Sequence, residues 1–358
     1  MLTWKTKNNT EMENLEKIRL SICMPTRNRA SFIGDALESI VLQADDAVEI
    51  VIVDGASTDN TEEVVGIYKK KFKNIVYYKA KENGGVNRDM AKSIELASGE
   101  YCWMLSDDDA LKPGSINRIL REIESGYEIY LCNVTACDLN LRPIRDRFWL
   151  SMFVRDTVFN LHEEAGLESY CKKANSIGAL FSYMSSIILC RKEWLKTGYD
   201  YDFDKTAYAL AATLFSFLKR KCRLKYIRDQ LVMWRNDNVS FQDAWGIEAR
   251  YLLDLDGYLM LADKFLPDAP GLKKAYFRVM MREHPWYTIV HVASEIDSRE
   301  SWSSFSNKLQ RFGYSPKMTE FYYFLGRRKK LLNLAIFIKR KLVKNRFLHR
   351  IVKLVQPK

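Results

Sequence analysis

Histidine is scarce in this chain, with four residues among 358, and none stands in an HExxH or CxxC setting, which argues against a zinc centre. The seven cysteines, at positions 23, 102, 132, 137, 171, 190 and 222, form no CxxC pair and mostly fall in apolar, strand-like runs. That usage fits buried thiols in a reducing compartment rather than a disulfide framework. Long apolar runs are also missing. The longest uncharged stretch, Ala174 to Cys190, carries Asn175, Gly178 and four serines, so it does not read as a membrane span. Met1 to Arg19 is polar and charged and lacks the apolar core of a secretory signal, which predicts a cytoplasmic protein. Two phosphate-gripping signatures are absent as well. After the first strand-like run the chain reads Met24-Pro-Thr-Arg-Asn-Arg29 where a dinucleotide site needs GxGxxG, and no GxxxxGK[ST] occurs anywhere.

What is present is a globular composition, 47% hydrophobic and 28% charged, at a length that suits one large domain with an appendage or two modest domains. The net charge of +11 is concentrated: residues 327–358 contain twelve Lys or Arg and no Asp or Glu, which leaves the rest of the chain near −1. A nucleic-acid binder would spread basic residues over its folded face, so no nucleic-acid partner is expected. In the tail, Leu331, Ala335, Ile338, Leu342, Leu348, Val352 and Val355 fall near one helical face, with Lys330, Lys339, Arg340, Lys344 and Arg350 around the remainder. This predicts a basic amphipathic helix suited to an anionic membrane surface, a packed or dimer-forming helix being the alternative. Homo-oligomerisation is left open.

Apolar runs at Arg19–Met24, Glu49–Val53, Ile75–Tyr78 and Glu100–Leu105 alternate with helical periodicity after Phe32, from Thr61 to Phe72 and from Arg88 to Ala97. A further helix follows Pro113-Gly114, and Glu128 to Val134 reads as a fifth strand. Short connections between alternating strands and helices imply an α/β fold with a mostly parallel sheet covered on both faces. Ligands bind beyond the carboxyl ends of such strands. Thr26 to Arg29, Asp54, Gly84-Gly85 and Asp107-Asp108-Asp109 all fall there. Loops are expected around Arg147 to Phe159, a strand within Ser185 to Cys190, a helix over Thr206 to Leu218, and a mainly helical region from about Trp245.

Three consecutive carboxylates repel one another unless water or a cation relieves them, and hard oxygen donors suit magnesium or manganese. Such a cation uses one or two protein carboxylates and completes its shell with water and phosphate, so a diphosphate is the natural companion. A solvated acidic loop is the alternative.

MPTRNRASFIGDALESI, EIVIVDGASTDNT, NGGVNRDMAKSIELASGEYCWMLSDDD and the following ALKPG together resemble the family 2 glycosyltransferases of GT-A fold, in the style of the abequosyltransferase-type enzymes of bacterial O-antigen and surface-polysaccharide assembly. The resemblance spans roughly residues 19–240. It implies a nucleotide-diphosphate sugar donor, a divalent metal (Mn or Mg), a polyprenyl-diphosphate-linked saccharide acceptor, inversion by single displacement, and a place on the inner face of the bacterial inner membrane. It also implies roles: Pro25, Thr26 and Arg27 cup the nucleotide base, Asp54 contacts base or ribose, and Gly85 with Arg88 lies beside the nucleotide. Among the metal candidates Asp107, Asp108 and Asp109, Asp108 matches the direct metal ligand, Asp107 a ribose or water-mediated contact and Asp109 a turn cap, with the division among the three left open. The family's first metal-site Asp is Ser106 here, which leaves the strength of metal dependence open.

The family's usual Glu-Asp base pair is not evident. Asp202 and Asp204 are the candidates for the catalytic base, helix capping being their alternative role, and Arg235 in a late loop is a candidate diphosphate cation. The expected division is 1–18 polar extension, 19–240 catalytic domain, 241–326 helical region and 327–358 membrane-associating tail. A nucleotidyltransferase and a non-catalytic surface-binding protein are the competing readings. Pyrophosphate release would mark the first, and metal-dependent nucleotide binding without turnover the second.

Overall fold

The computed structural model describes residues 17–236, 242–266, 268–328, 333 and 337, with 242–248 described by their backbone. The first half alternates as expected: β1 (Leu20–Thr26), α1 (Ile33–Val41), β2 (Val48–Asp54), α2 (Thr61–Lys71), β3 (Ile75–Lys79), α3 (Val86–Leu96) and β4 (Tyr101–Met104). Every residue of β1, β2 and β4 is buried, which is why these strands read as continuous apolar runs. Ile33, Ala36, Leu37 and Ile40 form the inward stripe of α1.

Beyond β4 come β5 (Ala110–Leu111), α4 (Ser115–Glu122), β6 (Ile129–Cys137), β7 (Pro143–Arg147), β8 (Thr157–Asn160), α5 (Glu164–Lys173), β9 (Ile187–Cys190), α6 (Arg191–Thr197), α7 (Ala209–Ser216) and β10 (Arg223–Arg235). The sheet runs β3-β2-β1-β4-β9-β6-β10-β5, with β7 on β6 and β8 on β10. Strands β1 to β4 are mutually parallel, and β6 pairs with β10 in parallel. The parallel expectation holds for that first half. In the second half β9 lies antiparallel between β4 and β6, so the sheet is mixed. Two departures from the sequence reading matter here. The segment around 147–159 is not all loop, since β7 and β8 flank it. Trp234 and Arg235 end a 13-residue strand rather than lying in a loop, while the adjoining Asn238 to Phe241 falls outside the described residues.

The helices α8 (Gln242–Phe265), α9 (Pro270–Glu283), α10 (Trp286–Glu295), α11 (Arg299–Arg311) and α12 (Pro316–Gly326) follow. The change near residue 240 is one of secondary structure, not of packing: Tyr251, Leu255 and Tyr258 of α8 share a continuous hydrophobic cluster with Phe215 of α7 and the sheet. Helix α9 lies against α5, and α12 against α10. No helix among the described residues is long and apolar enough to cross a membrane. The amphipathic tail predicted for 327–358 lies, apart from four residues, outside the described chain.

Candidate active site

The carboxyl ends of β1 and β4 and the amino end of α3 open onto one cleft of about 720 Å³. Pro25, Thr26, Arg27 and Arg29 line it from β1, Gly84 to Asn87 with Asp89 and Met90 from α3, and Ser106 and Asp107 from β4. The opposite wall is Phe181, Ser182 and Met184, the run Asp204 to Ala207, Leu210 of α7 and Leu253 of α8.

Side-chain bonds fix the β1 and β2 loops against each other. Asn28, in the left-handed region with φ 55°, donates its amide to Ser57 Oγ at 2.8 Å, and its Oδ1 accepts the Thr58 amide at 2.8 Å. Gly85 caps α3 with φ 91° and has open space where a Cβ would stand. Glycine is favoured there by the backbone conformation, and Gly85 itself lines the cleft.

Asp54 is fully buried, and its two oxygens accept the Ser57 amide and the Tyr77 hydroxyl, each at 2.6 Å. It is not among the residues that line the cleft. Asp89, which the sequence reading passed over, lines the cleft as Asp107 and Asp204 do. Burial, and next the charge of Asp54, push its carboxyl up to about 6 against the pull of Arg27. A Cβ on Gly55 would come within 2.5 Å of Asp89 Oδ2, so that glycine makes room for it. The sequence signal was an acid in the first turn of the helix after Gly84-Gly85.

The three consecutive aspartates separate in space. Asp107 lines the cleft with Arg29 Nε 3.6 Å away, and burial, then Asp108, raise its carboxyl to about 7. Asp108, half-buried, accepts the Ser106 hydroxyl at 2.5 Å. Asp109 points the other way. Its Oδ2 accepts the hydroxyls of Tyr183 and Ser185 at 2.5 Å and its Oδ1 the Arg235 amide at 3.1 Å, so both of its oxygens are engaged by protein donors. Among the described residues no three His, Cys, Asp or Glu side chains converge as a ready metal cage.

Arg235 is also corrected. It is buried, with Nε on the Asp108 carbonyl at 2.8 Å, Nη1 on the Leu139 carbonyl and Nη2 on Asp35 at 2.8 Å. Its guanidinium clamps the acidic loop from behind instead of facing the cleft.

The two base candidates part company. Asp202 is exposed and pairs with Lys264 at 2.7 Å away from the cleft lining. Asp204 lines the cleft. Its Oδ2 accepts Arg88 Nε at 2.9 Å and forms an ion pair with Nη2 at 2.7 Å, its Oδ1 accepts the Tyr199 hydroxyl at 2.8 Å, and Arg88 holds its carboxyl below the usual range. Asn87 Nδ2 donates to the carbonyls of Asp204 and Thr206 at 3.0 and 2.7 Å. The start of α3 therefore grips the facing wall. Arg88 is exposed and not itself part of the cleft lining, and it bears on the cleft as the partner of Asp204.

A model of the family described as Glycosyl transferase family 2 matches residues 21–183. The abequosyltransferase RfbV of Salmonella typhimurium is 33% identical over 348 residues, which are 93% of this chain and 99% of that protein. The chain belongs to glycosyl transferase family 2. It is a nucleotide-sugar-dependent glycosyltransferase with the GT-A fold. A GalNAc(5)-diNAcBac-PP-undecaprenol beta-1,3-glucosyltransferase of Campylobacter jejuni is 33% identical over 114 residues, 30% of this family 2 chain and 36% of its own. Among solved structures, S. aureus TarS 1-349 in complex with UDP superposes with a TM-score of 0.59 at 18% identity, covering 94% of this chain and 90% of that one. The mannosyltransferase PcManGT of Pyrobaculum calidifontis, in complex with GDP-Man and Mn2+, gives 0.54 at 14% identity, over 89% and 86%. At these identities the two structures speak for the fold.

Proposed function

We propose that this glycosyltransferase moves a sugar from a nucleoside-diphosphate donor onto a polyprenyl-diphosphate-linked saccharide in the assembly of a bacterial surface polysaccharide. The observation that carries the reading is the single cleft joining the β1 loop, the α3 amino end and Asp107. The acceptor class is supported by the undecaprenol-linked substrate in the name of the Campylobacter relative and by the basic tail. The tail would hold the enzyme at the cytoplasmic face of the inner membrane.

The donor set fits a hard divalent cation: Asp107 offers a carboxylate that burial disfavours as a bare anion, and Asp108 stands beside it. Manganese or magnesium, when bound, supplies positive charge to the leaving diphosphate. Arg27 and Arg29 on the β1 loop provide further cationic charge at the cleft. Asp89 and the open space at Gly85 receive the nucleoside. Across the cleft Asp204, kept anionic by Arg88, takes the proton of the acceptor hydroxyl, and attack from that side inverts the anomeric carbon. Met184, Leu210 and Leu253 help exclude water from the reacting carbon.

The test is donor hydrolysis by the purified full chain against UDP-, GDP-, CDP- and dTDP-sugars, with and without manganese. Selective, metal-dependent release of one nucleoside diphosphate is expected. Release of pyrophosphate from a sugar phosphate and a nucleotide would overturn the reading.

A further inference from the structure

Helix α12 is fixed on its inner side. Ser306 Oγ donates to Thr319 Oγ1 at 2.7 Å in the interior, Tyr322 is buried, and a Cβ on Gly326 would approach the Val290 carbonyl to 2.8 Å. The Tyr323 ring packs 5.0 Å from Trp302. This seating turns Phe321 and Phe324 outward, 56% and 47% exposed. Positions 317, 321, 324 and 328 share one side of a helix by their spacing, so Lys317 and Arg328 bracket the two rings. The Arg328 guanidinium lies 4.2 Å over Phe324, and Arg327 stands over Tyr323. Glu320, the one acid in α12, is paired with Arg299. Two adjacent exposed phenylalanines framed by cations, with the nearby acid neutralised, make an apolar patch that solvent alone does not favour.

We propose that this face of α12 docks on an anionic phospholipid surface, with Phe321 and Phe324 entering the headgroup boundary and Lys317 and Arg328 meeting the lipid charges. The choice of a bilayer over a protein partner rests on charge. At the carboxyl end of α12 begins the stretch with twelve Lys or Arg and no acid, and an anionic surface attracts each nearby cation by about 1 kcal/mol. Phenylalanine rings beside basic residues are the composition of interfacial helices. The inference rests on the membrane reading of the tail, and it is independent of the transfer chemistry.

The test uses the full chain with vesicles of phosphatidylcholine, alone or mixed with phosphatidylglycerol. Phe321→Ser with Phe324→Ser is expected to lower partitioning onto the mixed vesicles by about tenfold while donor hydrolysis in solution stays unchanged. Phe321→Trp is expected to shift its emission to the blue and to be quenched by brominated lipid tails. Unchanged partitioning of the double variant would overturn the proposal and leave the tail as the sole anchor. Loss of self-association with no change on vesicles would overturn it in favour of a second copy of the chain. No partitioning of the unmodified chain would remove both the α12 face and the tail reading, while donor hydrolysis would still report on the cleft.

Discussion

Arg88 and Asp204 meet at the cleft through one hydrogen bond from Nε at 2.9 Å and an ion-pair contact from Nη2 at 2.7 Å, and so join the nucleotide side of the site to the wall opposite. The pair has a sign that kinetics can read. Arg88 is the largest influence holding the Asp204 carboxyl below its ordinary 3.8. If Asp204 takes the acceptor proton, the acidic limb of the pH–rate profile reports its protonation. Asp204→Asn is expected to lower kcat by about 10² to 10⁴. Arg88→Ala should instead leave much of the rate at neutral pH and move the acidic limb upward, because the carboxyl returns toward its ordinary value. An unmoved limb in Arg88→Ala would show that another group sets it.

Asp89 gives a second pH dependence, in stability. Its folded-state value of about 6 lies above the ordinary 3.8, so between about pH 4 and 6 the native state holds a proton that the unfolded chain releases. Stability from this group is complete below that window and is lost as pH rises through it. Asp89→Asn should therefore melt higher than the parent at neutral pH, with the difference shrinking toward pH 4. The same change should raise KM for the donor more than it lowers kcat, and melting curves with initial rates across pH check both. Gly55→Ala should mimic the kinetic effect, since its Cβ would press on Asp89 Oδ2 at 2.5 Å.

The neighbours Asp107 and Asp109 are expected to fail in different ways. Asp107→Asn removes a cleft carboxylate while keeping an acceptor oxygen for its neighbours on the β1 loop, so the chain should fold, and metal-stimulated turnover should be lost. Asp109→Ala strands two buried hydroxyls and the Arg235 amide, which should cost about 2 to 4 kcal/mol of stability. Denaturant titration beside manganese-dependent hydrolysis separates the two. A stable, inactive Asp109→Ala would place that residue in the metal set.

The contrast between these neighbours marks where sequence reasoning stopped. Strands β1, β2 and β4 were legible because both of their faces are buried, and the loops at their carboxyl ends follow from that alone. Strand β10 was not, because its buried positions alternate irregularly with Lys225, Arg228 and Asp229, and its register with β6 is broken around Gln230. Asp107 to Asp109 form one cluster in the sequence, yet the direction of Asp109 is set by Tyr183, Ser185 and Arg235, which lie 74 to 126 residues further on. Arg235, expected in a late loop, ends β10 and supports the acidic turn from behind. Leu253 gave no local signal, since only packing brings α8 to the cleft.

That packing yields the last prediction. Asp254, next to cleft-lining Leu253, is 2% exposed and accepts the Tyr208 hydroxyl, Arg250 at 3.0 Å and His284 Nε2 at 2.9 Å. Tyr208 directly follows the cleft segment Asp204 to Ala207, and its ring fills the space beside Gly257, where a Cβ would come within 2.1 Å. Asp254 thus ties the facing wall to the carboxyl-terminal helices. Asp254→Ala should destabilise the chain by about 3 kcal/mol, as expected for one partner removed from a buried charged network. Asp254→Asn keeps an acceptor for Tyr208 and should fold. Because a wall displaced by even about 1 Å misaligns the acceptor, its kcat should fall with little change in donor KM. Tyr208→Phe should show the same split more weakly. If donor KM rises in Asp254→Asn while kcat holds, the carboxyl-terminal helices serve nucleotide binding instead, and the Asp204 wall does not carry the acceptor.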